Sequence, residues 1–483
     1  MSRKLYKIEK QLQKIKKENR MSPEEREMLK CRVDLIRQHI HQEHTRQHNK
    51  RIKKVVEEVK SGGGVDSETF WKAIKKIKGR PVEDKIAMYN SEGVRVEEKE
   101  DILEMYAQFY EKLLRTPQAI TEEGKQNEKI IEGTVKQMVN IADQQCQQEV
   151  KEEEVRAVIK QLKKRKAKDN DGWRNEVVIH GGDQMVTGLT SLFNQIQQNK
   201  EVPNEWRDMR LKSVHKGGAK YKMENRRGLF ITNIISKIFE RIIKERNHMK
   251  LSPYQCGGIK HRSITDQVFT LLAIIERNRY LQMNTYLTFA DAEKCFDKLW
   301  LEDGIKEIWT AGTQLQDAAF IYKMNVSGQA AVECPAGKTR TIELDKVVRQ
   351  GTVYGPQICS ATTDKINQIG NKITTSYGPN MQLEALIYVD DIASAGDHRC
   401  AQKTIEACSA MERWKKFTFN LDKSAVVVIK ASKKEEVQPI TVKVKKGYFK
   451  IQDSRDVFSI IDVCVLQLNF QISIDITEIS TVQ

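Results

Sequence analysis

Paired cysteine chemistry is missing from this sequence. Its nine cysteines are scattered singly, with no CxxC pair and no Cys/His knuckle spacing, which excludes a disulfide framework and a structural zinc site. They are expected to be reduced and mostly buried. Long apolar runs are missing as well: no stretch reaches the length of a membrane span, and no signal-peptide core stands at the start. The chain therefore reads as soluble and intracellular, with no membrane partner and with nucleus and cytoplasm not distinguished. Histidine clusters only at His39, His41, His44 and His48. His44 and His48 have a helical spacing that a metal could use, but no acid or cysteine completes a set, and a solvated basic helix face is the better reading.

What is abundant is positive charge. Against 66 acids stand 82 Lys and Arg, a formal net charge of +16, a balance that favours polyanionic partners and puts nucleic acid first. Residues 1–60 hold 18 basic and 9 acidic residues, a net of 18 − 9 = +9. This first segment is read as a basic helical arm, either a phosphate-binding device or a solvated linker helix.

At 483 residues the chain has room for two to four domains. Ser61-Gly62-Gly63-Gly64 is a flexible break. A helical linker module over 61–150 follows, with one helix carrying Phe70, Trp71, Ile74 and Ile77. A second carries Ile102, Tyr106, Phe109, Tyr110 and Leu113 on one face, and a short strand is expected at Val94–Val96 between them. From Val155 a helix is expected to run into Lys163-Lys164-Arg165-Lys166-Ala167-Lys168. Further helices are marked by Met185 to Ile196, by Ile234 to Ile242 and by Gly355-Pro356, where proline suits a first turn. Strands are expected at 285–291 and 384–394. Helices mixed with a few long-range strands imply an α+β fold rather than a parallel doubly wound sheet.

Two of those strands carry acids. Tyr388-Val389-Asp390-Asp391 follows the apolar run Ala385-Leu386-Ile387, and Asp291 stands in Thr288-Phe289-Ala290-Asp291-Ala292. Two unit charges about 4 Å apart repel by roughly 4 kcal/mol at an effective dielectric near 20. Carboxylates clustered on buried strands therefore call for cations, and Mg²⁺, a hard ion with oxygen ligands, suits them.

Ordered blocks surround these acids. They are Lys166-Ala167-Lys168-Asp169-Asn170-Asp171-Gly172, Pro203 with Trp206, Asn225-Arg226-Arg227-Gly228 through Ser236-Lys237-Ile238-Phe239-Glu240-Arg241-Ile242, and Gln255-Cys256-Gly257 with Arg262 to Gln267. Asp291 to Asp297, Arg349-Gln350-Gly351 with Gly355-Pro356, Tyr388 to Asp391, and Asn420 to Ser424 follow. In this order, over 160–430, the set resembles the reverse transcriptase region of a non-LTR (LINE-like) retrotransposon polyprotein. The last four blocks match polymerase motifs A to D.

The resemblance implies a right-hand polymerase with fingers and an antiparallel palm sheet over 151–450. It implies RNA-directed DNA polymerisation on an RNA template from a DNA primer and dNTPs. Two Mg²⁺ ions, with Mn²⁺ as the alternative, would be held by Asp291, the Ala292 carbonyl, Asp390 and Asp391. By the same likeness Lys216, Arg227, Phe296, Gln350, Gly351 and Lys423 would meet the dNTP, with Phe296 crowding a ribose 2′-hydroxyl. Arg262 and Tyr388 would meet nucleic acid. A core phenylalanine, a turn glycine and a solvated lysine remain the plain readings of Phe296, Gly351 and Lys423.

The sequence departs from the family in places. Arg226 and Gly228 replace the usual Tyr and Pro around Arg227, and Val214 to Gly218 matches only loosely. After about residue 450 no primer-grip block is found, so a thumb is expected to be missing. The atypical tail, 451–483, alternates apolar and polar residues over 465–475 like an amphipathic strand. No endonuclease or ribonuclease H acid set is evident. Two alternatives stand beside the polymerase: a catalytically inactive polymerase-like RNA-binding protein, and an intron-encoded maturase. Oligomeric state is left open.

Overall fold

The computed structural model describes residues 88–89, 95–115, 122–219, 221–259, 261–293, 295–345, 348–369, 375–376, 382–383, 385–415, 418–431 and 437–454. The chain divides into two compact units between Ile86 and Ala87, and every described residue belongs to the second. The basic arm, the helix expected around Trp71 and the strand expected at 465–475 lie outside the described residues. Among the described residues no helix is long and apolar enough to cross a membrane.

The strands are β1 (Met88–Tyr89), β2 (Arg95–Val96), β3 (Met209–His215), β4 (Arg226–Ile231), β5 (Thr285–Asp291), β6 (Gln329–Cys334) and β7 (Gly337–Glu343). β8 (Thr375–Ser376), β9 (Gln382–Leu383), β10 (Leu386–Tyr388), β11 (Asp391–Gly396), β12 (Ala425–Ile429) and β13 (Lys450–Ser454) complete them. They build two main sheets, ordered β4-β3-β6-β7 and β10-β11-β5-β12-β13, and two small hairpins. Mixed helix and sheet is what the sequence predicts, with two corrections. The strand expected at 384–394 is a hairpin, broken at Val389, whose φ is +60°. The second sheet is antiparallel from β10 to β12, but β13 joins β12 in parallel.

β5 is buried along nearly its whole length, as a strand covered on both faces must be. One side packs Leu287 and Phe289 against Leu271, Ile274 and Ile275 of helix Ile264–Tyr280. The other gives Tyr286 and Ala290 to the main core, which also takes Ile131, Val135 and Met138 of helix Glu122–Gln144. Ser263 and Asp266 form a capping box that starts the helix at Ile264.

The first sheet is backed by helix Lys99–Leu113, which buries Tyr106, Ala107 and Tyr110 from its apolar face. Tyr110 Oη donates to Ser213 Oγ of β3 at 2.9 Å. Arg340 of β7 reaches Glu104 at 3.0 Å and Glu111 at 2.8 Å on the same helix.

The helix expected to run through the lysine run stops at Lys160. Beyond it the chain turns so that buried Asp169 accepts from Trp173 N at 2.8 Å and Ile234 N at 3.1 Å. Asn233, the cap of helix Ile234–Arg246, donates to Asp171 at 2.7 Å. Asp169 thus satisfies one free N–H at the helix start, while Asp171 holds the Asn233 side chain whose Oδ1 accepts from Ile235 N and Ser236 N.

Candidate active site

Antiparallel register brings the acids together. Asp291 closes β5 directly opposite Asp391, which opens β11. Across the β10–β11 hairpin Asp391 faces Tyr388, and Val389 and Asp390 make the turn. One row across three strands therefore reads Tyr388, Asp391, Asp291, with Asp390 at its edge.

The segment after helix His398–Trp414 braces that row. Asp291 N donates to Ser424 Oγ at 3.1 Å, and Asn420 N donates to the Asp291 carbonyl at 2.9 Å. Ala292 bridges to Phe419. Lys423 Nζ lies 3.7 Å from Asp291 Oδ1. Ser424 closes the Asn420-to-Ser424 block, yet its hydroxyl had no role in the sequence reading, because a hydroxyl that meets a backbone 133 residues away leaves no local signal.

The three carboxyls sit in an unfavourable field. Burial, then the charges of Asp390 and Asp291, raise Asp391 to about 7 against the pull of Lys423. Burial and then Asp291 push Asp390 up to about 6, offset in part by Arg227 and Lys423. Asp291 is also raised by burial, while Lys423 and Lys216 favour its ionised form. Desolvation combined with like charges at one point marks a place where charge must be compensated from outside.

Oxygen-only donors and excess negative charge fit a hard divalent cation. Among the described residues no three His, Cys, Asp or Glu side chains converge into a ready-made cage. Mg²⁺ does not need one, since it commonly keeps waters and binds through one or two carboxylates together with substrate phosphates.

Residues 214–450 match the family model described as reverse transcriptase (RNA-dependent DNA polymerase). This part of the chain is a reverse transcriptase domain. The match takes in β4, β5, the β10–β11 hairpin, the Lys423 segment and both strands' acids, and it supports RNA-directed DNA polymerase function in general terms.

The other residues singled out in the sequence come from several elements of the reverse transcriptase domain. Lys216, just past β3, and Arg227, in β4, are exposed at the hairpin where the two strands meet. Their charges act on Asp291 and Asp390 respectively. Phe296 is half-buried in the short helix Cys295–Lys298, with Cε1 3.9 Å from where a Gly355 side chain would begin. Tyr388 is exposed at the end of β10. Arg262 is turned inward, donating to the carbonyl of Gln255 at 2.7 Å and to that of Ser252.

Arg349, Gln350 and Gly351 are tied to β4 and to the segments that flank the first sheet. The Gln350 carbonyl accepts from Phe230 N of β4 at 2.8 Å. Gly351 has φ +123°, and a Cβ there would stand 2.3 Å from the Phe230 carbonyl, so no larger residue keeps this approach. Arg349 is fully buried and donates to the carbonyls of Arg207 at 3.2 Å, Met324 at 3.4 Å and Ser327. Burial lowers its pKa to about 10, while nearby Glu240 favours the charged form. Glu240 in turn accepts from Val353 N at 2.9 Å. Burial lifts Glu240 to about 7.

Proposed function

We propose that the reverse transcriptase domain is an active polymerase of the non-LTR retrotransposon kind, extending a DNA primer on an RNA template with dNTPs. The observation that carries this is the pairing of Asp391 with Asp291, with Asp390 in the adjoining turn. In this reading the second sheet is the palm and the first sheet, with its exposed Lys216 and Arg227, belongs to the fingers.

Asp291, the Ala292 carbonyl, Asp390 and Asp391 would hold the divalent ions, Mg²⁺ or in its place Mn²⁺. Held there, divalent ions would supply activation of a primer 3′-hydroxyl and charge neutralisation of a pyrophosphate leaving group. The chain's own residues do the rest. Arg227 can grip phosphate oxygens with two parallel N–H donors, and Lys216 adds a point charge. Lys423 stands beside Asp291, on the side from which a triphosphate would be charge-compensated. Phe296, at the start of helix Gly355–Thr363, would crowd a ribose 2′-hydroxyl and so favour deoxynucleotides. Gln350 and Gly351 would face the nascent base pair and exposed Tyr388 would meet nucleic acid, whereas Arg262, expected from the sequence to do the same, spends its guanidinium on the Ser252 and Gln255 carbonyls.

Primer extension on an RNA template tests the reading. Mg²⁺-dependent extension by the wild type, lost in Asp390→Asn, supports it. The rival reading is an RNA-binding scaffold without catalysis. RNA binding with no extension under either Mg²⁺ or Mn²⁺ would establish that rival instead.

A further inference from the structure

The turn that carries Asp390 is an awkward piece of backbone. Val389 has φ +60°, a region costly for a β-branched residue. Such a conformation persists only where its surroundings hold it. At the centre of what holds it is a buried amide, that of Gln255.

Gln255 is fully buried. Its Oε1 accepts from Val389 N at 3.1 Å and from Gly257 N at 2.9 Å. Its Nε2 donates to the Ser360 carbonyl at 3.3 Å and to Thr363 Oγ1 at 3.2 Å. Both of those partners lie on helix Gly355–Thr363. The Thr363 hydroxyl also reaches the Val389 carbonyl, so the amide and the hydroxyl together hold both backbone polar groups of Val389. Each face of the amide is used according to its chemistry, oxygen to two N–H groups and nitrogen to two oxygens.

The neighbouring backbone is fixed to the same turn. Cys256 N donates to the Ile387 carbonyl, and Ile387 N to the Tyr254 carbonyl, each at 2.9 Å. A Cβ on Gly257 would stand 2.1 Å from Val389 N. Ser360 Oγ donates to the Gly257 carbonyl at 3.0 Å.

We propose that Gln255 is a positioning residue for catalysis: through one buried amide it locks the Val389–Asp390 turn to helix Gly355–Thr363 and so fixes where the Asp390 carboxylate points. Gln255 is too deeply buried to touch substrate, and it acts only through the turn. The inference rests on the polymerase reading above for its catalytic consequence, but the lock itself is a property of the fold.

Two measurements on the full chain test it. In single-nucleotide incorporation, Gln255→Met keeps the volume and removes the amide. We expect kcat to fall at least tenfold with KM for the dNTP within about twofold, since the turn is displaced and the nucleotide contacts are not. Thr363→Val should show the same kind of loss, and the double variant little more than the worse single one, because both act on the backbone of one residue, Val389. Unchanged kcat in Gln255→Met, or losses that multiply in the double variant, would overturn the proposal.

Hydrogen exchange read by mass spectrometry over 386–392 needs no activity. Gln255→Met should exchange at least tenfold faster there, with helix 264–280 unaltered. Unaltered exchange over 386–392 overturns the lock. If the wild type extends no primer yet the variant loses protection at the turn, the lock stands and the polymerase reading fails. Should Gln255→Met not fold, Thr363→Val carries both measurements by itself.

Discussion

The guanidinium of Arg226 lies over the ring of Tyr106, 5.1 Å from its centroid. Arg226 occupies the place where the resemblance leads one to expect a tyrosine, and the helix Lys99–Leu113 supplies the aromatic ring instead. Beside it, a Cβ on Gly228 would meet Leu211 Cδ1 at 2.8 Å and Tyr110 Cε1 at 2.9 Å, so the helix also fills the space where a proline would otherwise stand. These two departures from the family are accounted for by packing. They are matched to a helix that lies a hundred residues before the family match begins.

The helix packs within the same compact unit as the reverse transcriptase domain. Tyr106→Ala should destabilise the protein by about 3–5 kcal/mol, the range for removing a buried aromatic, and should weaken dNTP binding because Arg227 is next in the strand. Denaturant unfolding reads the first effect and nucleotide titration the second. A chain trimmed to begin at residue 214 should fail to fold where one beginning at Ala87 succeeds. A soluble, cooperative 214–483 fragment would show that the helix is dispensable.

Arg349→Met provides a second test, this time of stability rather than chemistry. The guanidinium satisfies three backbone carbonyls and balances buried Glu240. Removing one partner of such a pair leaves a buried charge uncompensated, at a cost of about 3–5 kcal/mol. We expect a large drop in melting temperature. A melting temperature within a degree of wild type would mean that the Arg349 contacts add nothing to stability.

The raised acids predict opposite pH trends with and without metal. Asp390 near 6 and Asp391 near 7 hold their protons more tightly in the fold than in the unfolded chain, where a carboxyl titrates at about 4. Their contribution to stability is therefore present at low pH and lost as pH rises from about 4 through 7. Divalent binding needs the ionised forms, so stabilisation by Mg²⁺ should grow over the same interval. Asp391→Asn should raise the metal-free melting temperature at pH 8 and abolish most of the Mg²⁺ shift. Thermal melts at pH 5 and pH 8 check this, and an equal Mg²⁺ shift at both would rule out the assignment of these carboxyls as ligands.

How much of this was legible in the sequence depends on the range of the interaction. Helix faces at Tyr106, Ile196 and Ile242 were readable because apolar residues repeat every three to four positions, and the acids because they stand within ordered blocks. The break at Val389 was not, since no glycine or asparagine announces a left-handed residue there and the constraint comes from Gln255, 134 residues away. The stop at Lys160 was likewise hidden. Its cause lies in where Asp169 is needed, at Ile234, and lysine and arginine are themselves good helix formers. Likewise, the parallel entry of β13 is set by tertiary packing that alternation cannot encode.

The basic arm offers the last test, one that depends on charge alone. Residues 1–60 carry a formal +9 of the chain's +16. If the arm grips phosphate, every contact with a single strand releases counterions and adds roughly −0.7 to the slope of log K against log salt. A chain lacking 1–60 should then bind single-stranded RNA with a shallower slope, by about 2 if three phosphates are lost. Primer extension at low salt and saturating RNA should be little changed, because the acids and their cations all lie beyond residue 210. Binding measured across a salt series separates the two readings of the arm. A flatter slope makes it a phosphate grip that holds template near the domain, and an identical slope makes it a solvated linker whose lysines face water.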